Sequence, residues 1–470
     1  MNKRAITFGT SGWRAVLAEG FTFENVRIVV RAIAEELVEQ GTGGNGVIVT
    51  HDTRFLGDRF ALTAARVLAG AGLTPLLTNR DTPTPVAAFE VIRRGADGAI
   101  NFTASHNPPE YQGLKFSPAS GGPAPKELTS ALERRIAELQ RKGAPIPLGA
   151  IPDEKFDPRG PYKKRIGELI DLEAIHKSGI RILVNCLYGT SRDYLDALLT
   201  EAGCPIEVMN NHPDPLFGGY PPEPAPGYVP DFLDRLESGS FDLGLCTDGD
   251  ADRFAVFAPN GVSPNANEVL ALLLDHLATS RGWKGTVVRT VATSHFVDAV
   301  AQKHGCTIVE VPVGFKWIAQ EMEKAPEEFV IGGEESGGLT IRGHVPEKDG
   351  ILATLLAAEM VAVRKEPLAS ILDRLKKETV DVVSRRVNFP FEPEERDALL
   401  ARTGDPPSEF AERKILEHIT LDGDKYILED GSWVMFRFSG TEPVIRFYLE
   451  STAERADILE AAGRRFLGFA

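Results

Sequence analysis

The sequence predicts an α/β protein of three topologically similar units closed by a smaller α+β domain. Two patterns carry that prediction. One order of short β-rich runs and helical stretches occurs three times along the chain, and after Leu375 it gives way to closely spaced strands and a single closing helix. Length alone, 470 residues, suggests about three domains at ~150 residues each; the patterns raise the count to four.

The first unit reads as a buried strand at 46–50 and a helix at 60–71, the second as a strand at 181–186 and a helix near 192–202, the third as a strand at 285–291 and a helix at 296–303. Gly72, Gly203 and Gly305 stand where each helix should stop, because glycine takes the left-handed conformation that ends a helix. Each unit then has two apolar runs separated by a polar loop: 98–102 and 113–116, 243–245 and 254–257, 329–331 and 339–341. One supersecondary unit is therefore used three times, offering a different loop at the same place. The Pro/Gly-rich stretch 143–158 closes the first unit and the Asn260-Gly261 turn the second. The expected domains are 1–150, 151–259, 260–376 and 377–470, the last with strands at 380–387, 425–428, 433–438 and 444–449 and a helix at 455–466.

Composition narrows the class. Apolar residues are 43% and charged residues 25%, ordinary globular usage. No apolar run approaches the ~18 residues of a membrane span, and no secretory apolar stretch follows the start. Cys186, Cys204, Cys246 and Cys306 lie too far apart for a zinc or disulfide framework, so a reducing cytoplasm is expected. A net charge of −15 argues against nucleic acid or an anionic membrane as partner. An anionic small molecule would need a local concentration of Arg and Lys.

Three loops between apolar runs have the parts for chemistry. Asp248-Gly249-Asp250-Ala251-Asp252-Arg253 sets three carboxylates at alternate positions, where they repel one another unless a hard cation sits between them. The EF-hand alternative fails at Arg253 and Pro259, which stand where glycine and glutamate are required; a solvated acidic turn stays open on this loop alone. Asp422-Gly423-Asp424 has two acids and is read as a hairpin turn. Thr103-Ala104-Ser105-His106-Asn107-Pro108 leaves a strand at a serine, and with no GxSxG elbow in the chain acyl chemistry is disfavoured. Ser105 is an ordinary cap or, with a metal and cations nearby, a phosphoryl carrier. Gly333-Glu334-Glu335-Ser336-Gly337 suits sugar hydroxyls or is a glycine hairpin. Arg437-Phe438-Ser439-Gly440-Thr441 with Arg446 has the parts of an anion cradle, and Gly9-Thr10-Ser11-Gly12-Trp13-Arg14 is a polar loop ending in arginine. The remaining histidines show no ligand spacing.

Together, in this order and over nearly the whole chain, these motifs resemble the α-D-phosphohexomutase family of phosphoglucomutases and phosphomannomutases. The resemblance implies four domains around a central cleft and two phosphoryl transfers, from phosphorylated Ser105 to a hexose monophosphate and back from a hexose 1,6-bisphosphate. It implies Mg²⁺ held by Asp248, Asp250 and Asp252 with the Ser105 phosphate, sugar contacts from Glu334, Ser336 and Lys316, and a phosphate grip of Arg437, Ser439, Gly440, Thr441 and Arg446. Lys115 is implied near the reacting oxygen, with Arg14 and Arg253 as further cations. Glucose 1,6-bisphosphate is the implied activator, and a monomer or small homo-oligomer the implied assembly.

One position departs from the pattern. Some dual-specificity members carry histidine after Glu-x-Ser-Gly, where this chain has Gly338, so the acid/base role passes to Lys115 with His344 in reserve. The pair Glu334-Glu335 is more similar to phosphoglucomutase-like members, which puts glucose phosphates first; mannose and glucosamine phosphates stay open. A Mg²⁺-dependent sugar phosphatase and a non-catalytic sugar-phosphate sensor are the rival classes.

Overall fold

The computed structural model describes residues 6–9, 12–440 and 443–469 and contains four sheets. The first unit has β1 (Trp13–Val16), β2 (Val47–His51), β3 (Pro75–Leu77), β4 (Gly98–Phe102) and β5 (Tyr111–Pro118), ordered β1-β5-β4-β2-β3. The second has β6 (Ile182–Asn185), β7 (Ile206–Met209), β8 (Leu243–Thr247) and β9 (Phe254–Phe257), ordered β7-β6-β8-β9. The third has β10 (Thr286–Thr290), β11 (Thr307–Val311), β12 (Phe329–Gly333) and β13 (Leu339–Ile341), ordered β11-β10-β12-β13. Each unit repeats one wiring: the first core strand (β2, β6 or β10) pairs parallel with both neighbours, and the last two strands close an antiparallel hairpin. The Ser105, Asp248 and Glu334 loops are the tips of these three equivalent hairpins.

The parallel core strands, such as β2, β6 and β10, are short Val/Ile/Leu-rich runs because the parallel part of each mixed sheet is covered on both faces. Helix Gly350–Arg364 is buried without a break from Gly350 to Ala362, which explains why its sequence is apolar on every side. It lies in one continuous core shared by the second and third units, whereas the first and fourth units keep cores of their own around Phe60 and Phe436. The glycines expected to end helices do so with left-handed backbones, Gly72 at φ +84°, Gly203 at +80° and Gly305 at +66°.

The fourth unit is a six-stranded sheet of β14 (Val383–Pro390), β15 (Glu409–Phe410), β16 (Arg413–Ile419), β17 (Asp424–Leu428), β18 (Trp433–Phe438) and β19 (Val444–Ser451), with helix Ala453–Leu467 packed on it. It meets the third unit through Val291, Ala292, Trp433, Met435 and Tyr448.

Three readings needed adjustment. Trp13 and Arg14, expected to end a polar loop, open β1, where they pair with Leu114 and Gly113 of β5. The helix expected from 192 begins at Leu195, because Asp193 turns left-handed (φ +64°) and Arg192 and Asp193 reach across to Asp81 and Arg80 of the first unit. Strands β15 and β16 were not anticipated; β16, Arg-Lys-Ile-Leu-Glu-His-Ile, is charged and largely exposed and so lacks clean alternation. Among the described residues no helix is long and apolar enough to cross a membrane.

Candidate active site

The hairpin tips converge. Ser105 sits just beyond β4 in a left-handed conformation (φ +52°), its N–H donating to Thr103 Oγ1 at 2.9 Å. Its hydroxyl, 1% exposed, crosses the boundary between units to donate to Asp248 Oδ2 at 2.8 Å. The tip bearing Asp248 is a tight turn in which Arg253 N donates to Asp248 Oδ1 at 3.0 Å and Ala251 is left-handed. Both neighbouring units hold that turn. Thr84 of the first donates its N–H to the Asp250 carbonyl and its hydroxyl to Asp250 Oδ2 at 2.5 Å. Gly350, opening the long buried helix, donates to the Ala251 carbonyl, and a Cβ there would lie 2.3 Å from the Arg253 carbonyl oxygen, so no larger residue fits.

Asp248, Asp250 and Asp252 are buried, and each offers an oxygen within 4.8 Å of the others'. Three ionised carboxylates at that spacing need positive charge. Lys115 of β5 provides it, its Nζ 2.6 Å from Asp250 Oδ2 and 2.6 Å from Asp252 Oδ2, and Lys348 lies 3.4 Å from Asp252. Burial opposes ionisation at all three aspartates. At Asp252 the cations Lys115, Lys348 and Arg253 win and hold the carboxyl far below the usual range; at Asp250 Lys115 does the same more mildly. Asp248, without a lysine of its own, is pushed well up by burial and by its two acidic neighbours. The buried atoms Asp250 Oδ1 and Asp252 Oδ1 accept no hydrogen bond. An oxygen-only donor set with unsatisfied acceptors fits a hard divalent cation. Asp422 and Asp424 form no such group: Asp422 accepts from Arg437 and from Val313 N–H, and Asp424 from Thr403 and near His418.

The other predicted residues fall into two groups. Arg14 on β1 donates to Asn107 Oδ1 at 2.6 Å and so borders the Ser105 loop. His106, next to Ser105, is kept neutral by burial and by Arg253 and Arg14, its pKa falling well below the usual value. Glu334 and Ser336 meet on their own hairpin tip, Ser336 Oγ donating to Glu334 Oε2 at 3.3 Å. Burial raises Glu334 to about 7 against the pull of Lys348. Glu335 accepts from Thr290 and from Tyr448 of the fourth unit, tying the Glu334 hairpin to that domain. Lys316, stacked 5.1 Å over Trp317, is lowered by burial and by Lys126 of the first unit.

The second group lies on the fourth sheet. Arg437 and Arg446 are directly opposed on β18 and β19 and therefore share a face of the sheet. Arg437 also donates to Asp422 at 2.9 Å. Ser439 is buried and Gly440 exposed at the following turn. Thr441 lies outside the described residues, as do Thr10 and Ser11.

Lys348 was not singled out from the sequence, although its stretch was noted. Its signal was Gly338: a Cβ at 338 would stand 2.0 Å from Lys348 Cδ, so the space that a histidine would take is filled by this lysine. His344 has a fully buried side chain bonded at 2.7 Å to Asp349, the N-cap of helix Gly350–Arg364, which Tyr162 also holds at 2.6 Å. Thr84 was missed as well, because nothing local marks a threonine that touches a loop 166 residues away.

Sequence profiles described as phosphoglucomutase/phosphomannomutase alpha/beta/alpha domains I, II and III match residues 5–142, 160–261 and 265–378, and that family's C-terminal domain matches 383–465. The chain belongs to the phosphoglucomutase/phosphomannomutase family. A Thermococcus kodakarensis protein named phosphoglucomutase/phosphomannomutase is 31% identical over 95% of each chain. A Methanothermobacter thermautotrophicus relative named "Probable phosphoglucosamine mutase" is 31% identical over 99% of this chain and 98% of its own, and a Komagataeibacter xylinus phosphoglucomutase is 29% identical over 96% and 88%. A crystal structure from Thermus thermophilus, provisionally assigned as a phosphomannomutase, superposes with a TM-score of 0.86 at 34% identity, covering 99% of both chains. This phosphohexomutase is thus an isomerase that moves a phosphoryl group within a sugar phosphate, and its acidic triad is a site that could hold a metal ion.

Proposed function

We propose that the enzyme interconverts hexose 1-phosphate and hexose 6-phosphate, glucose phosphates first, through phosphorylated Ser105 and a hexose 1,6-bisphosphate intermediate. The observation that carries this reading is the 2.8 Å contact between Ser105 Oγ and Asp248, which joins a nucleophilic hydroxyl to the acidic triad in a single crevice. Asp248, Asp250 and Asp252, with an oxygen of the Ser105 phosphate, would hold Mg²⁺, which when bound neutralises charge on the transferring group.

Ser105 donates its phosphoryl group to the free hydroxyl of the bound sugar phosphate and later recovers one from the other end of the turned bisphosphate. We assign the acid/base role to Lys115: held as an ammonium by Asp250 and Asp252, it would take the hydroxyl proton as it yields its own to the departing Ser105 oxygen, and with Arg14 and Arg253 it would stabilise the equatorial oxygens. Glu334, Ser336 and Lys316 orient the sugar, and Arg437, Ser439, Gly440, Thr441 and Arg446 grip the phosphate that is not transferred. Burial of Ser105 keeps water from its phosphate. We assign the working units to 1–150, 151–259, 260–376 and 377–470. Glu334-Glu335 favours glucose among the sugars named for relatives.

A side-by-side coupled assay on glucose, mannose and N-acetylglucosamine 1-phosphates tests the reading, together with intact mass before and after glucose 1,6-bisphosphate. The expected result is the highest kcat/KM on glucose 1-phosphate and one added phosphoryl mass that Ser105→Ala abolishes along with turnover. Free phosphate outrunning isomer, or turnover surviving in Ser105→Ala, would refute it.

A further inference from the structure

Immediately beneath the Ser105 loop lies a side chain that none of the roles above uses. Asp52 and Arg54 follow β2 at the carboxyl edge of the first sheet, beside the end of β4, where Asp52 N–H donates to the Phe102 carbonyl. Their side chains are 0% exposed. The Arg54 guanidinium donates from Nη2 to the carbonyls of Ser105 at 2.6 Å and Asn107 at 2.5 Å, and from Nη1 to those of Pro108 at 2.8 Å and Tyr111 at 3.0 Å. Four carbonyls, three from the Ser105 loop and one from the first residue of β5, thus converge on one planar fork. Its Nε lies 3.2 Å from Asp52 Oδ2, and the Arg54 N–H donates to Asp52 Oδ1 at 2.9 Å. Across the boundary between units, Phe217 stacks 5.0 Å from the guanidinium.

The arrangement does more than fill space. Ser105 is a non-glycine residue at φ +52°, a conformation that costs ~1–2 kcal/mol and persists only where the surroundings over-determine it. The Ser105 carbonyl is the atom Arg54 grips most directly on that residue, and its N–H is fixed by Thr103. With both sides of the peptide held, the Cα–Cβ bond keeps the direction from which the hydroxyl reaches Asp248 Oδ2.

We propose that Arg54 is a positioning residue of the reaction: by clamping the Ser105 loop to the start of β5 through these four carbonyls it sets the aim of Ser105 Oγ at the acidic triad. This rests on the reading of Ser105 as the phosphoryl carrier. Lysine cannot replace the fork, having three donors on a point charge rather than a planar array, yet it keeps a cation beside Asp52 and so avoids an uncompensated buried carboxylate.

The test compares Arg54→Lys, and the neutral pair D52N/R54Q, with the wild type, using glucose 1-phosphate, glucose 1,6-bisphosphate and Mg²⁺ as probes. Misplacing a reacting group by ~1 Å costs up to ~10²-fold in rate. We expect both variants to fold with a Tm lowered by the carbonyls they leave unsatisfied, yet to keep KM for glucose 1-phosphate and Kd for Mg²⁺ and to lose kcat by ~10- to 10²-fold. Wild-type kcat in either folded variant overturns the proposal. So does a parallel loss of Tm, KM and metal affinity, or failure of both variants to fold, since each assigns Arg54 to general architecture. Intact mass separates the two levels: a wild type that never gains a phosphoryl group overturns the Ser105 reading itself, whereas a phosphorylated wild type with unimpaired variants overturns the role of Arg54 alone.

Discussion

Replacing Lys115 with methionine should weaken the metal-free protein and tighten its hold on a divalent cation at the same time. The ammonium is buried, 2.6 Å from one oxygen of Asp250 and 2.6 Å from one of Asp252, so a neutral side chain of similar length removes the principal counter-charge of the triad. Breaking a buried pair by deleting one partner costs ~3–5 kcal/mol, partly offset here by Lys348 at 3.4 Å from Asp252. A cation entering the wild-type site must instead displace or repel that ammonium. Two unit charges at ~4 Å interact by ~4 kcal/mol at an effective dielectric of ~20; allowing the lysine to swing away relieves most of it, and a residue of ~1.4 kcal/mol is tenfold in Kd. The expected outcome is a lower Tm without metal, a Mg²⁺ Kd at least ~10-fold tighter by calorimetry, a larger rise of Tm on adding Mg²⁺, and a fall in kcat. An unchanged Kd together with an unchanged metal-free Tm would refute the charge balance drawn here.

Asp250→Asn should weaken Mg²⁺ binding by at least ~10-fold and remove most metal-dependent turnover, read by calorimetry and coupled assay; an unaltered rate would count against the metal assignment. Glu334, raised to about 7 chiefly by burial, gains its charge and acceptor strength as pH climbs through that value, so KM for glucose 1-phosphate should fall from pH 6 to 8 in the wild type and lose that component in Glu334→Gln. Lys425, buried between the third and fourth units against the Val291 carbonyl (2.9 Å) and His295 (3.1 Å), is pushed down to about 8 by burial and then by Arg289. Its folded pKa lies below the unfolded one, so the unfolded chain binds more protons between about 8 and the ordinary lysine range of ~10.4. Stability should therefore rise with pH across that window, and Lys425→Met should flatten the rise in a Tm series.

Much of the architecture was readable because the chemistry that determines it is local. Alternating runs, helix-ending glycines and the Asn260-Gly261 turn each act within a few residues, and hairpins 98–118, 243–257 and 329–341 follow from them. The Asp248 loop announced itself because carboxylates at alternate positions in six residues are costly without a counter-charge. What stayed hidden is contact across units. No pattern around Lys115 indicates that it bridges Asp250 and Asp252, 135 and 137 residues away, and none marks Arg54 as the donor to four carbonyls between Ser105 and Tyr111. The merging of the second and third cores was legible in principle, since 350–362 carries almost no polar residue and a helix apolar all round must be enclosed.

The triad's charge balance depends on how the units stand to one another. Its carboxylates come from the second unit, its lysines from the first (Lys115) and third (Lys348), and the hydroxyl aimed at it from the first again. Had all the compensating charge come from one unit, the site could form before the units docked. As built, each undocked unit exposes an unbalanced group, and docking is what neutralises it.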